Sequence, residues 1–209
     1  MAVQPTRRAI LATLAASAAT ASAGAQSPAH LPNLAERALG NPNAKVTVVE
    51  YHSFTCHVCQ KFKVEVYPEF KAKFVEPGHV RFVMRDFPLD RVALMAAQVS
   101  RCVPADRYFS FVALLYSRQD SWKGGHGAGN VDTPAVLRQF AGLAGATPAQ
   151  VDRCLADESL ARAIVQEAQT GAERYAIRAT PTFVIGDRVY SGLQTVPDFE
   201  RLVAPLLRG

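Results

Sequence analysis

Four cysteines in a chain of 209 residues are too few to staple it, so a disulfide scaffold is excluded. Charge is equally sparse: 20% of residues are Asp, Glu, Lys or Arg, and 23 basic side chains face 18 acidic ones. With 49% hydrophobic residues, that balance rules out a disordered or low-complexity chain. No phosphate-cradling Gly-Lys-Ser/Thr run is present. The glycine-rich stretch from Ser121 to Asp132 lacks one and follows no strand, so it reads as a polar loop. Internal repeats are absent. Beyond the N-terminal segment no run approaches about 20 apolar residues, the length a membrane span needs. The length suits one domain, or one domain carrying an insertion.

What is present begins with an export signal. Arg7 and Arg8 are followed by no charged residue until Glu36, and Ile10 to Ala23 is rich in Ala and Leu. Ala21-Ser22-Ala23 then offers a small-residue cleavage site. Residues 1–23 therefore read as a signal peptide. Thr6-Arg7-Arg8-Ala9-Ile10-Leu11 resembles a twin-arginine signal, with an ordinary secretory signal as the alternative. Without the two arginines the net charge of +5 falls to +3, too small an excess to point to nucleic acid. Export places the remaining chain where disulfides form and persist.

Residues 24–44 read as an arm ending in a turn. The alternation in Lys45 to Tyr51 predicts a strand with Val46, Val48 and Glu50 on one face. A helix is expected from Cys56 past Phe70, with Cys59, Phe62, Val66 and Phe70 on its apolar stripe. Lys61, Lys63 and Glu65 lie off that stripe, and Pro68 interrupts the helix. Val80 to Arg85 reads as a second strand, so the chain opens β-α-β and favours a parallel pair. Residues 91–175 are helical in pattern, with Val92, Met95, Val99 and Cys102 forming one seam. Thr133-Pro134 and Thr147-Pro148-Ala149-Gln150 read as helix starts, the second with a capping box. Val151, Cys154 and Leu155 share a face of the helix after it. Thr182 to Ile185 predicts a strand, Gly186-Asp187 a hairpin turn, and Arg188 to Tyr190 its return. A last helix is expected from Pro197 to Leu207, with Phe199, Leu202, Val203 and Leu206 inward.

Cys56-His57-Val58-Cys59 follows a strand and opens a helix. Free backbone N–H groups and the positive end of the helix dipole converge on Cys56 there, so its thiolate is favoured. Cys59 lies one turn on, on the apolar stripe. This asymmetry suits thiol–disulfide exchange, with Cys56 reacting and Cys59 resolving the mixed disulfide. A c-type haem site needs His after the second cysteine, where Gln60 stands. A zinc site needs four ligands, and no second pair follows at finger spacing, so no metal is expected. A purely structural Cys56–Cys59 bond closes too small a loop to constrain much.

Gly40 to Tyr51, Cys56-His57-Val58-Cys59, Arg85-Asp86-Phe87-Pro88-Leu89-Asp90 and Ala179-Thr180-Pro181-Thr182-Phe183 together resemble the DsbA family of thiol:disulfide oxidoreductases. The resemblance runs from Gly40 to Leu207. It implies a thioredoxin-like α/β fold at 45–90 and 175–209, with residues 91–174 as an inserted helical domain. It also implies a monomeric periplasmic enzyme that oxidises newly exported proteins, needs no cofactor and is reoxidised by a DsbB-type membrane partner. Cys56 matches the family's nucleophile, Cys59 its resolving cysteine and Glu50 the acidic residue beneath the disulfide. Thr180-Pro181 matches the cis X-Pro beside which substrate peptides dock. One departure stands out: strong oxidases carry Pro-His between the cysteines, whereas His57-Val58 stands here. A weaker oxidant or a reductase stays open, as does a non-catalytic chaperone-like module. An isomerase is disfavoured, because the roughly 20 residues before Lys45 are too few for the dimerisation domain such proteins carry. Cys102 and Cys154 fall on apolar helix stripes and are expected to pair, with two buried free thiols as the alternative. The bond would close a loop worth roughly 4 kcal/mol by chain entropy.

Overall fold

The computed structural model describes residue 1 and residues 34–124 and 131–208. The expected export signal beyond residue 1, and residues 125–130 of the 121–132 loop, lie outside the described residues. A five-stranded sheet is the frame, in the order β1-β3-β2-β4-β5. Its strands are β1 (Arg37–Leu39), β2 (Val46–His52), β3 (Val80–Asp86), β4 (Thr182–Ile185) and β5 (Arg188–Ser191). β2 is central, parallel to β3 and antiparallel to β4. That parallel pair follows from the β-α-β opening, because a helix must cross over between β2 and β3. β1 was not expected: three residues of the arm pair antiparallel with β3. A strand so short, on a sheet edge, leaves almost no alternation to read.

Helix α1 covers residues 57–75 and is not uniform. His57–Lys61 is α-helical, Phe62–Val66 takes wider π-type turns, Tyr67–Phe70 returns to α, and Lys71–Val75 widens again. Pro68 has no N–H to give the carbonyl four residues back. The chain absorbs this just before it, with the Tyr67 amide bonding to Phe62 instead. Lys63 stands four residues after Cys59, on the same face of the helix. Lys63 is therefore buried, contrary to its expected place off the stripe.

Between β3 and β4 the chain is helical: α2 (Arg91–Cys102), α3 (Tyr108–Ser117), a short turn Gln119–Trp122, α4 (Thr133–Leu143), α5 (Pro148–Ala156) and α6 (Glu158–Tyr175). α7 (Val196–Arg208) closes the fold. α5 has the Thr147–Gln150 capping box. α4 is capped one residue earlier than expected, by Asp132, because the Thr133 hydroxyl is buried and bonded to the Trp122 carbonyl. The expected α2 seam is only half right. Val99 is buried and Val92, Met95 and Cys102 pack part-buried on the core, while the fully buried surface also takes in Ala93, Ala96, Ala97, Gln98, Ser100 and Arg101. In α7, Leu206 is 43% exposed, and Leu207 packs on the core in its place. The stripe Val196, Phe199, Val203 continues four residues on, at 207.

Phe62, Phe70, Phe82, Phe183 and Phe199 fill the layer between the sheet and helices α1 and α7. On the sheet's other face α6 lies so close that a Cβ at Gly171 would stand 2.3 Å from a Tyr51 ring carbon. Only glycine permits that approach. Cys102 at the end of α2 is joined to Cys154 on α5, with Cα atoms 6.4 Å apart. Alkylation of the unreduced protein, read by mass spectrometry, should leave both residues unmodified. Label at both would show that α2 and α5 carry free thiols.

Candidate active site

β2 delivers the site. Its inward positions begin with Val46 and Val48 and continue with Glu50 and His52, all buried. A tight turn comes next, in which the Cys56 amide bonds the Ser53 carbonyl at 3.1 Å. Cys56 is the N-cap of α1, in extended backbone conformation, and its sulfur accepts the Cys59 amide at 3.3 Å. Sulfur thus takes the role that a Ser or Asp oxygen usually plays at a helix start. Two tethers hold this turn from the helical segment. Gln119 Nε2 donates to the carbonyls of Phe54 (2.8 Å) and Cys56 (3.1 Å). Thr55 donates to Asp90, the N-cap of α2, at 2.6 Å.

The Thr180–Pro181 peptide bond is cis, and the Thr180 carbonyl lies 3.2 Å from the Cys56 sulfur. The fold therefore brings the loop before β4 against the cysteine, 124 residues away in sequence. Cys56 and Cys59 are both free thiols, the first half-buried and the second fully buried. Their acidities are pushed apart. Hydrogen bonding from the Cys59 thiol, helped by the Thr180 side chain and the amides of Cys59 and Val58, overcomes partial burial and lowers Cys56 from 9.0 to about 5. Burial, then the neighbouring Cys56 sulfur and Glu50, push Cys59 far above the ordinary thiol range.

Beneath Cys59 lies Glu50, 0% exposed, with Lys63 Nζ 2.5 Å from its carboxylate. Lys63 also contacts the Met84 sulfur at 3.4 Å and sits 4.3 and 4.5 Å from the ring centres of Tyr67 and Phe82. Burial raises Glu50 and lowers Lys63, each toward its neutral form, while their mutual attraction opposes both shifts. The two groups titrate as a coupled pair. Lys63 was missed in the sequence because a lysine reads as solvent-facing, although it stands four residues after Cys59 on the same helix face. His57 and Val58, the dipeptide between the cysteines, are exposed, and His57 Nδ1 contacts Gln60 Oε1 at 3.1 Å.

A second polar cluster, also missed, adjoins the first. His52 lies between Tyr116 and Asp86, and Asp86 takes two bonds from Arg101 at 2.6 and 2.8 Å. A polar residue at the fourth inward position of β2 was its available signal. Among the described residues, no group of three or more His, Cys, Asp or Glu is placed to hold a metal, and no helix is long and apolar enough to cross a membrane.

A family model described as thioredoxin matches residues 33–204. The chain belongs to the thioredoxin family. Among solved structures it is similar to alpha-DsbA1 of Wolbachia pipientis, at 27% identity and a TM-score of 0.74, covering 86% of this chain and 94% of that one. BdbD of Bacillus subtilis shares the fold, at 23% identity and a TM-score of 0.73, over 83% of this chain and 94% of that one. A Rickettsia bellii protein named for protein-disulfide oxidoreductase activity is 26% identical over 158 residues, which cover 75% of this chain and 57% of the relative. The chain thus spans little more than half the length of the first curated relatives it matches. The fold is thioredoxin-like, with helices α2 to α6 inserted between β3 and β4.

The site's electrostatics set a pH dependence. Cys56 is an acid whose folded value is depressed, so the stability it contributes to the reduced protein is full above about 9. That contribution is lost as pH falls through about 5. Alkylation of Cys56 should rise with pH through a midpoint near 5, and Thr180→Val should move the midpoint upward. A midpoint at the ordinary thiol value would contradict the geometry.

Proposed function

We propose that this chain is an exported thiol:disulfide oxidoreductase that introduces disulfides into other exported proteins. The observation that carries this reading is the split between two sulfurs one helical turn apart, with Cys56 easily ionised and Cys59 not.

The reaction starts from the Cys56–Cys59 disulfide. A substrate thiolate attacks the Cys56 sulfur, the enzyme disulfide breaks, and Cys59 leaves. Because Cys59 is buried and strongly favours its protonated form, it takes a proton as it leaves, and in this reading the Glu50–Lys63 pair supplies it. A second substrate thiolate then attacks the substrate sulfur of the mixed disulfide. Cys56 leaves as a thiolate, stabilised by the Cys59 amide and thiol. The substrate has lost two electrons and the enzyme has gained them as a dithiol. The electron pair resides in the cysteines, so the cycle calls for no cofactor.

Thr180-Pro181 lies beside the reacting sulfur, where an extended peptide meets the backbone of residue 180. Val58, 39% exposed, adds an apolar flank. His57 serves as a solvent-facing member of the dipeptide. We assign residues 45–90 and 175–209 to the thioredoxin-like domain and 91–174 to the inserted helical domain. The Cys102–Cys154 bond staples that insert and stays out of the catalytic cycle. The working compartment is the periplasm, substrates are reduced exported proteins, and a membrane protein of the DsbB type returns the enzyme to its disulfide form.

Cys56→Ala should abolish oxidation of a reduced substrate protein, and Cys59→Ala, given a substrate in its disulfide form, should accumulate a mixed disulfide on Cys56 that no second cysteine resolves, seen on non-reducing gels. Full activity in Cys56→Ala would leave a non-catalytic binding module as the better reading.

A further inference from the structure

His52 is fully buried at the end of β2, and the exchange mechanism makes no use of it. One ring nitrogen, Nδ1, lies 2.8 Å from the Tyr116 hydroxyl. The other, Nε2, lies 3.5 Å from Asp86 Oδ1. The Tyr116 hydroxyl also lies 3.1 Å from the Ser53 carbonyl, which accepts the Cys56 amide. The ring of His52 is wedged edge-on against Phe54, which stacks on Tyr116.

The proton count selects one arrangement. A tyrosine hydroxyl has a single proton, and a carbonyl oxygen only accepts. Tyr116 has hydrogen-bond contacts to both His52 and Ser53. Both are made only if Tyr116 donates to Ser53 and accepts from His52, so the histidine proton sits on Nδ1. The cost of this arrangement falls on the other side of the ring. Nε2 and Asp86 Oδ1 stand beyond a good hydrogen-bond distance, and neither has a hydrogen-bond partner. The second oxygen of Asp86 is satisfied by Arg101. Burial keeps His52 neutral, lowering it from 6.5 to about 3, with Asp86 opposing and Lys63 and Arg101 assisting. The ring therefore has one N–H, and placing it on Nε2 would join His52 to Asp86 at the expense of the Tyr116–Ser53 bond.

We propose that His52, as its Nδ1–H tautomer, is a positioning residue for thiol exchange. It turns the Tyr116 hydroxyl onto the Ser53 carbonyl and so fixes the turn that presents Cys56. The proposal rests on reading Cys56 as the reacting sulfur. The turn is short, so a shift at Ser53 is passed to the distances from the Cys56 sulfur to the Cys59 amide and the Thr180 carbonyl.

Two measurements test it. Nitrogen-15 NMR of histidine-labelled, unmodified protein at neutral pH should show His52 with a protonated Nδ1 and a bare Nε2. The opposite tautomer overturns the proposal, whatever the protein's activity. The second measurement is the rate of exchange between Cys56 and a model disulfide. His52→Asn sets an amide N–H near the Nδ1 position and should stay within about threefold of the unmodified protein. His52→Gln reaches toward Nε2 instead, and Tyr116→Phe removes the hydroxyl. Both should slow exchange about tenfold, the equivalent of one hydrogen bond. Equal rates in all three variants, or a reversed order for Asn and Gln, would overturn the proposal. Absence of exchange in the unmodified protein would instead sink the reading of Cys56, with the NMR result still deciding the tautomer.

Discussion

The hydrogen bonds that the Cys56 sulfur receives at the start of α1 are the interaction on which the rest of the structure depends. They favour the thiolate, and a favoured thiolate is both a good leaving group and a stabiliser of the reduced protein. They exist only because β2 ends where it does, with the turn from Ser53 to Cys56 placing sulfur at a capping position. The cis Thr180–Pro181 loop approaches from the far end of the chain and completes the sulfur's surroundings. The sheet order, with β2 between β3 and β4, makes that meeting possible.

Beneath this exposed chemistry the protein buries charge, which is costly unless each group is paired. Glu50 finds Lys63, and Asp86 finds Arg101. The two pairs do different things. Glu50 and Lys63 are both driven toward neutrality by burial, against their mutual attraction. Asp86 and Arg101 remain an ion pair that links the end of β3 to α2 and so ties the inserted helices to the sheet. Exposed pairs such as Lys61–Glu65 contribute little by comparison.

The strands β2 and β3, their parallel pairing, the helix opening at Cys56 and the capping box at Thr147 were legible because each has a local cause. Alternation, β-branching, a C-x-x-C at a helix start and a Thr-x-x-Gln run all act over a few residues. The features that escaped were non-local. Lys63 looked exposed because it is a lysine, although it stands four residues after Cys59, and its partner Glu50 comes from another element. Strand β1 exists because β3 offers an unpaired edge. His52 and Tyr116 are 64 residues apart in sequence, and only the fold makes them neighbours. Leu206 and Leu207 are adjacent leucines, and composition alone does not say which one turns inward.

The central claim is that stabilising the Cys56 thiolate makes the Cys56–Cys59 disulfide an oxidant. A thiol near pH 5 lies between the value of about 7 in thioredoxin and that of about 3.5 in the strongest oxidase. Equilibrating the pair against glutathione buffers measures its reduction potential directly. The predicted value lies between about −270 mV, where thioredoxin stands, and about −120 mV. A potential at or below about −270 mV would mean that the stabilised thiolate does not drive oxidation, and the account would be wrong.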